Sequence, residues 1–116
     1  MGGVRPDPKP RKRFDAPAQE WTVLRQIKQE ENEVCEICAT EPWTELHHIV
    51  PRSQSGDDWL SNLMALCHDC HEAVTLNRPE YLMMLRWALT TRQTFYVVKR
   101  KGYGWLEAKY PAVMAL

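Results

Sequence analysis

Two short strings decide how this chain folds: Cys35-Glu36-Ile37-Cys38 and Cys67-His68-Asp69-Cys70. Between them lies Glu45-Leu46-His47-His48-Ile49-Val50-Pro51-Arg52. Each outer string is a C-x-x-C pair. Four thiolates suit tetrahedral zinc, and two intervening residues let one turn present both sulfurs. Two disulfides, or four buried free thiols, are the alternatives. The start of the chain shows no apolar secretory stretch, and cytosolic thiols stay reduced, so zinc is favoured. The gap between the pairs exceeds that of a compact zinc ribbon, so something of strand–loop–strand size is inserted between the knuckles.

The inserted segment reads accordingly. Residues 44–49 form a short strand that Pro51 stops. Ser53, Ser55, Gly56, Asp57, Asp58 and Ser61 mark residues 52–61 as a loop. Residues 63–66 form a second strand, and a helix follows from near Cys70 to about Leu76. The chemistry-bearing residues cluster in this unit. One histidine beside a strand is usually structural. His47, His48 and His71 together with Asn62 are a different matter, because imidazole serves both as a metal ligand and as a base near neutral pH. Phosphodiester cleavage needs both, a base for water and a cation at the developing charge.

Working outward, Asp15 can cap a helix over residues 16–31, with Pro17 tolerated in its first turn and Trp21, Leu24 and Ile27 on one face. Asn77 can cap a helix over residues 78–89, with Pro79 in its first turn. Tyr81, Leu82, Met84, Leu85, Ala88 and Leu89 form its core stripe, and Met83 and Trp87 pack within the same chain. Residues 94–98 suit a strand, but Thr90 with Gln93 can equally cap a helix that ends at Gly102, and the helix is preferred.

Charge is balanced overall, with 15 Lys and Arg against 15 Asp and Glu, but it is segregated. Arg5, Lys9, Arg11, Lys12 and Arg13 face only Asp7 in residues 1–14, and Lys99, Arg100 and Lys101 form a second basic cluster. The first group reads as an extended basic arm able to meet phosphates, or as a solvated tail. The remaining 15–116 are short enough for one domain, a core over 33–77 and a helical extension over 78–116. No apolar run is long enough to span a bilayer, so a cytoplasmic protein is expected.

The order His47-His48, Asn62, then His71 after the second C-x-x-C resembles the HNH endonuclease family, in its four-cysteine zinc-containing branch. The similar string runs from Cys35 to His71 and includes Ile49, Pro51, Gly56 and Asn62-Leu63, about a third of the chain. The basic arm and Gly104-Trp105-Leu106-Glu107 through Tyr110-Pro111 resemble HNH proteins of bacteriophages. The resemblance implies a small α+β protein with a ββα-metal, treble-clef-like core, a structural zinc and flanking helices. It implies that Cys35, Cys38, Cys67 and Cys70 hold that zinc. His48 matches the general base. His47 and His71 match the ligands of one catalytic divalent metal (Mg²⁺, Mn²⁺, Ni²⁺ or Zn²⁺). Asn62 matches the residue that orients the loop through backbone hydrogen bonds.

Some relatives carry a further histidine where Thr75 stands here, which leaves two protein ligands and open positions for substrate. The substrate implied is DNA, with phage packaging proteins as candidate partners, the host cytoplasm as the place and a monomer as the state. Arg52 can contact phosphate or stand as a solvated loop arginine. Asp69 can accept a hydrogen bond behind the metal site, and His68 is solvated. Adjacent strand residues point to opposite faces, so His47 and His48 share a site only where the strand ends or twists. The knuckles and arm would also serve a zinc-dependent nucleic-acid or protein-binding module without catalysis, or a phage scaffold protein. The combination of His47, His48, Asn62 and His71 favours the enzyme.

Overall fold

A computed structural model describes residues 20–114. The basic arm, Asp15 and Pro17 lie outside the described residues. Helix α1 (Trp21–Glu31) precedes strand β1 (Glu45–His48). Two 3-10 turns (Arg52–Gln54 and Leu60–Asn62) lie within the loop that leads to β2 (Leu63–Leu66). Four helices follow: α2 (His68–Thr75), α3 (Pro79–Ala88), α4 (Thr91–Lys101) and α5 (Tyr103–Lys109). The molecule is thus small and α+β, with a ββα unit flanked by helices.

The two strands pair antiparallel, with Glu45 opposite Leu66, Leu46 opposite Ala65, His47 opposite Met64 and His48 opposite Leu63. Every residue of β2 is buried, because both faces of the hairpin are covered. Leu46, Leu63 and Ala65 pack with Leu24 of α1 and Trp43 on one face. Met64 and Leu66 pack on the other face with Val74, Leu85, Tyr96, Val97, Leu106 and Tyr110, drawn from α2 to α5 and the residue after it. The pleat therefore assigns sides. Leu46 and His48 belong to the α1 face, and Glu45 and His47 to the face of the C-terminal helices.

Strand β2 and helix α4 agree with the sequence reading. Thr90 accepts from the Gln93 amide and Gln93 returns a bond to the Thr90 amide, a full capping box. Gly102 ends α4 with φ +97°, a conformation that glycine adopts without a Cβ clash. Several details differ. Helix α1 begins at Trp21 and not at residue 16, because Glu20 takes an extended cap conformation. Helix α2 begins at His68, because Cys67 takes the extended cap position just ahead of it. Asn77 adopts φ +59° and Arg78 is the residue before α3, so Asn77 ends a turn instead of capping a helix. Residues 103–109 form a fifth helix that the sequence reading did not separate. The stripe on α3 is also shallower than expected: only Leu85 is fully buried, and Trp87 is exposed while donating to Ala112 O.

One internal ion pair holds α1 to the first knuckle. Lys28 is 1% exposed, and its ammonium lies 2.9 Å from Glu36 Oε2. The same oxygen accepts from the Ala65 amide at 2.7 Å, and Gln93 Nε2 approaches Oε1 at 3.4 Å. Without Glu36 the buried ammonium keeps only the longer contact to Glu31 Oε1, at 3.7 Å, and a buried charge so poorly compensated is costly. Glu36→Ala is accordingly expected to cost about 3–5 kcal/mol, read from urea unfolding. A loss below 1 kcal/mol would mean that Lys28 swings out to solvent.

Candidate metal centres and histidine site

The first knuckle turns tightly at Ala39, whose φ is +58° and whose amide bonds Cys35 O at 2.9 Å. The second opens α2, with Cys67 at its cap and Cys70 in its first turn. All four sulfurs lie within 4.8 Å of one another. Ile37 N donates to Cys35 Sγ, and Thr40 Oγ1 donates to Cys38 Sγ. Burial opposes ionisation of Cys38, but the Thr40 hydroxyl, the backbone at Glu41 and Thr40, and the Cys35 thiol outweigh it and draw its pKa down to about 6. Burial and the neighbouring sulfurs push Cys70 well up, and burial raises Cys67. Four thiolates so crowded repel without a cation between them, so the cluster suits a soft tetrahedral ion and points to structural zinc.

Glu45 and His47 meet α2 across the face of the C-terminal helices. His71 Nδ1 donates to Glu45 Oε1 at 2.5 Å, and His68 Nδ1 donates to Oε2 at 2.9 Å. These two bonds hold the Glu45 carboxyl below the ordinary carboxylate range. The rings of His47 and His71 are 5.2 Å apart, edge to face. His47 Nε2 lies 3.1 Å from the Tyr110 hydroxyl. Burial, reinforced by the charges of His71, His48 and Lys109, lowers the His47 pKa to about 3, so its ring is neutral at pH 7.

His48 faces the other way. Its Nε2 bonds Asp58 Oδ1 at 2.8 Å, and the Trp21 ring lies parallel to it at 5.7 Å. Arg52 clamps the same carboxylate with two bonds, Nε at 2.9 Å and Nη2 at 3.1 Å, and its guanidinium stacks on Trp21. Burial tends to raise the Asp58 pKa, but the bonds from Arg52 and His48 win and hold it below the usual carboxylate value.

The loop between the strands is tied from beneath. Asn62 is fully buried; its Oδ1 accepts from Val50 N, and its Nδ2 donates to Val50 O and Asp57 O. Gly56 is required by close approach, since a β-carbon there would overlap the Val50 carbonyl oxygen. Asp57 is pinned to α4, where Tyr96 Oη donates to its Oδ2 at 2.6 Å and Arg100 Nη2 donates at 2.5 Å.

The fold thus brings His47 and His71 together and sets His48 on the opposite face of β1, near Asp58. Arg52 is engaged with Asp58. Asp69 is exposed and its carboxylate makes no hydrogen bond among the described residues; Glu45 supplies the carboxylate beside His71 instead. His68 is 69% exposed, yet bonded to Glu45. Sequence reasoning missed Glu45, Asp58 and Tyr110, although Glu45 stands two residues before His47 on the same face of an alternating strand. An apolar groove of about 590 Å³ runs between Trp59, Leu60, Phe95 and Tyr96, and no histidine lines it.

A short hairpin and a helix, stapled by four cysteines and carrying paired imidazoles, define a ββα-metal unit. Residues 35–75 match the family described as HNH endonuclease. Over 70 residues it is 33% identical to the Type IV methyl-directed restriction enzyme EcoKMcrA of Escherichia coli (strain K12). That alignment covers 51% of this chain and 25% of the relative, so it spans about a quarter of the relative's length. No solved structure matches. Among the described residues no helix is long and apolar enough to cross a membrane.

Proposed function

We propose that this chain is a metal-dependent endonuclease that hydrolyses DNA phosphodiester bonds. The observation that carries the reading is the pairing of two metal-competent imidazoles, His47 and His71, with an adjacent histidine held by a carboxylate. The relative's description as a restriction enzyme supports the same reaction class.

The residues fit a divalent cation. His47 is neutral, and among the described residues nothing hydrogen-bonds its Nδ1. His71 has its Nδ1 committed to Glu45, which leaves Nε2 free, the carboxylate–histidine arrangement common behind metal ligands. Two protein ligands leave open positions for phosphate oxygen and water. Mg²⁺, Mn²⁺, Ni²⁺ and Zn²⁺ are the candidates, and imidazole nitrogen favours the last two. When bound, the cation supplies Lewis-acid stabilisation of charge on the phosphate and the departing 3′ oxygen.

His48 acts as the base. Its Nε2–H is committed to Asp58, so Nδ1 holds the lone pair that takes a proton from water. The water oxygen then bonds to phosphorus in line as the P–O3′ bond breaks. The products are a 5′ phosphate and a 3′ oxygen that solvent protonates to a hydroxyl. Asp58 stabilises the imidazolium, and Arg52 keeps Asp58 in its ionised form. Strand β1 stops at His48, and the mechanism requires a phosphate bound at that strand end to be reached from His47 on one face and from His48 on the other. Asn62 and Gly56 act through the loop by keeping Asp58 opposite His48. Arg5, Lys9, Arg11, Lys12 and Arg13 neutralise phosphates without reading bases, and Arg52 adds a cation beside the base. Residues 15–116 act as one nuclease domain, with its core over 33–77 and its extension over 78–116.

The test is supercoiled plasmid incubated with the zinc-loaded protein and each of Mg²⁺, Mn²⁺, Ni²⁺ and Zn²⁺. Nicked or linear product with 5′ phosphate ends is expected with at least one of them. Intact plasmid with all four would make the chain a binding module.

A further inference from the structure

We infer that Tyr110 is a positioning residue that fixes the tautomer of His47, so that His47 offers Nδ1 to a divalent cation while His71 offers Nε2. The inference rests on the metal-site reading above and adds a residue well beyond the HNH segment, which ends at residue 75.

A tyrosine hydroxyl has one proton to donate. Tyr110 Oη donates it to the carbonyl oxygen of Ile49 at 3.0 Å. The same Oη lies 3.1 Å from His47 Nε2 and has no second proton to give. It must therefore accept there, and His47 must be the donor. A neutral imidazole carries a single N–H. With that proton on Nε2, the lone pair of His47 stands on Nδ1. The reverse tautomer would set a lone pair against a lone pair at Nε2, or strip the proton from Ile49 O.

The Tyr110 ring cannot easily turn to another arrangement. The residue is fully buried, its ring packs edge to face against Trp105 and His47, and Arg86 Nη1 holds its carbonyl at 2.9 Å. Helix α5 delivers it by burying Leu106 one turn earlier. His71 obeys the same logic with the opposite result, because an ionised Glu45 can only accept and so places the His71 proton on Nδ1. The strand histidine and the helix histidine thus present unlike nitrogens. The C-terminal helix completes a site whose other parts all lie in the ββα unit.

The experiment uses the full chain, zinc-loaded and ¹⁵N-labelled, with long-range ¹H–¹⁵N correlation of the imidazoles and calorimetric titration with Ni²⁺. In the wild type, His47 is expected to show a protonated Nε2 and a bare Nδ1 before nickel is added. Tyr110→Phe is expected to lose that single-tautomer pattern and to bind Ni²⁺ about 10- to 100-fold more weakly, the usual effect of removing a partner behind a metal ligand. Its zinc content and cooperative melting report whether it still folds; if it does not, the wild-type spectrum decides alone. A protonated Nδ1 on His47 in the wild type overturns the inference, as does a folded Tyr110→Phe with unchanged tautomer and nickel affinity. Nickel binding with the expected tautomer but no plasmid cleavage would uphold this inference and remove the nuclease reading. Cleavage by a protein whose His47 carries its proton on Nδ1 would do the opposite.

Discussion

Cys67→Ser is expected to abolish the cooperative fold. Cys35, Cys67 and Cys70 are buried in the same cluster as Met64, Val74 and Tyr96, so the four-sulfur site is continuous with the core. It ties the segment before β1 to the first turn of α2, which no described strand pairing does directly. A structural zinc site contributes on the order of 10 kcal/mol of apparent free energy. Total stability of a small domain is about 5–15 kcal/mol. Losing one thiolate should therefore leave too little to hold the hairpin against the helices. The measurements are bound zinc per chain by elemental analysis and thermal melting by circular dichroism. Chelation of wild-type protein should produce the same loss, and zinc should reverse it. A Cys67→Ser protein that melts cooperatively within a few degrees of wild type would show that the apolar core suffices and that the sulfurs are incidental to it.

His48→Ala should remove cleavage and leave the rest intact. His48 touches Asp58 and Trp21 and belongs to neither buried cluster, so its loss leaves the core as it is. Deleting a general base is expected to slow the reaction on the order of 10²- to 10⁴-fold. Zinc content, melting temperature and DNA affinity should stay near wild type, and added metal should not restore the rate. His71→Ala should also stop cleavage, but through weaker metal binding, so raising the metal concentration should recover part of it by mass action. The contrast in metal dependence separates a proton acceptor from a ligand. If His48→Ala cuts at the wild-type rate, the base is another group. If both variants respond alike to added metal, His48 has been misassigned as well.

Much of the ββα unit was legible from local pattern. The C-x-x-C spacing works within one turn, so it needs no knowledge of the rest of the chain. Residues Leu63–Leu66 read as a strand because a continuous apolar run is what a doubly covered strand requires. Thr90 and Gln93 announced α4 because a capping box is complete within four residues. Helix α5 was not legible: Gly104 lowers its helix propensity, it spans only two turns, and its stability comes from Leu106 in a core built by distant segments. Asn77 read as a cap because its side chain suits one, but its positive φ places it in the turn before α3.

The sequence by itself determined the four sulfur donors, the hairpin and the set of imidazoles from which a site could be made. Each follows from spacing within a turn or from the two-residue period of a strand. Only the tertiary structure decided what those imidazoles touch. His48 finds Asp58 across 10 residues, His71 finds Glu45 across 26, and His47 finds Tyr110 across 63. Such partners are set by how a loop closes over a strand end and how a C-terminal helix docks on the sheet. No local pattern records them, because hydrogen-bond reach is a property of distance in space, and chain separation carries no information about it.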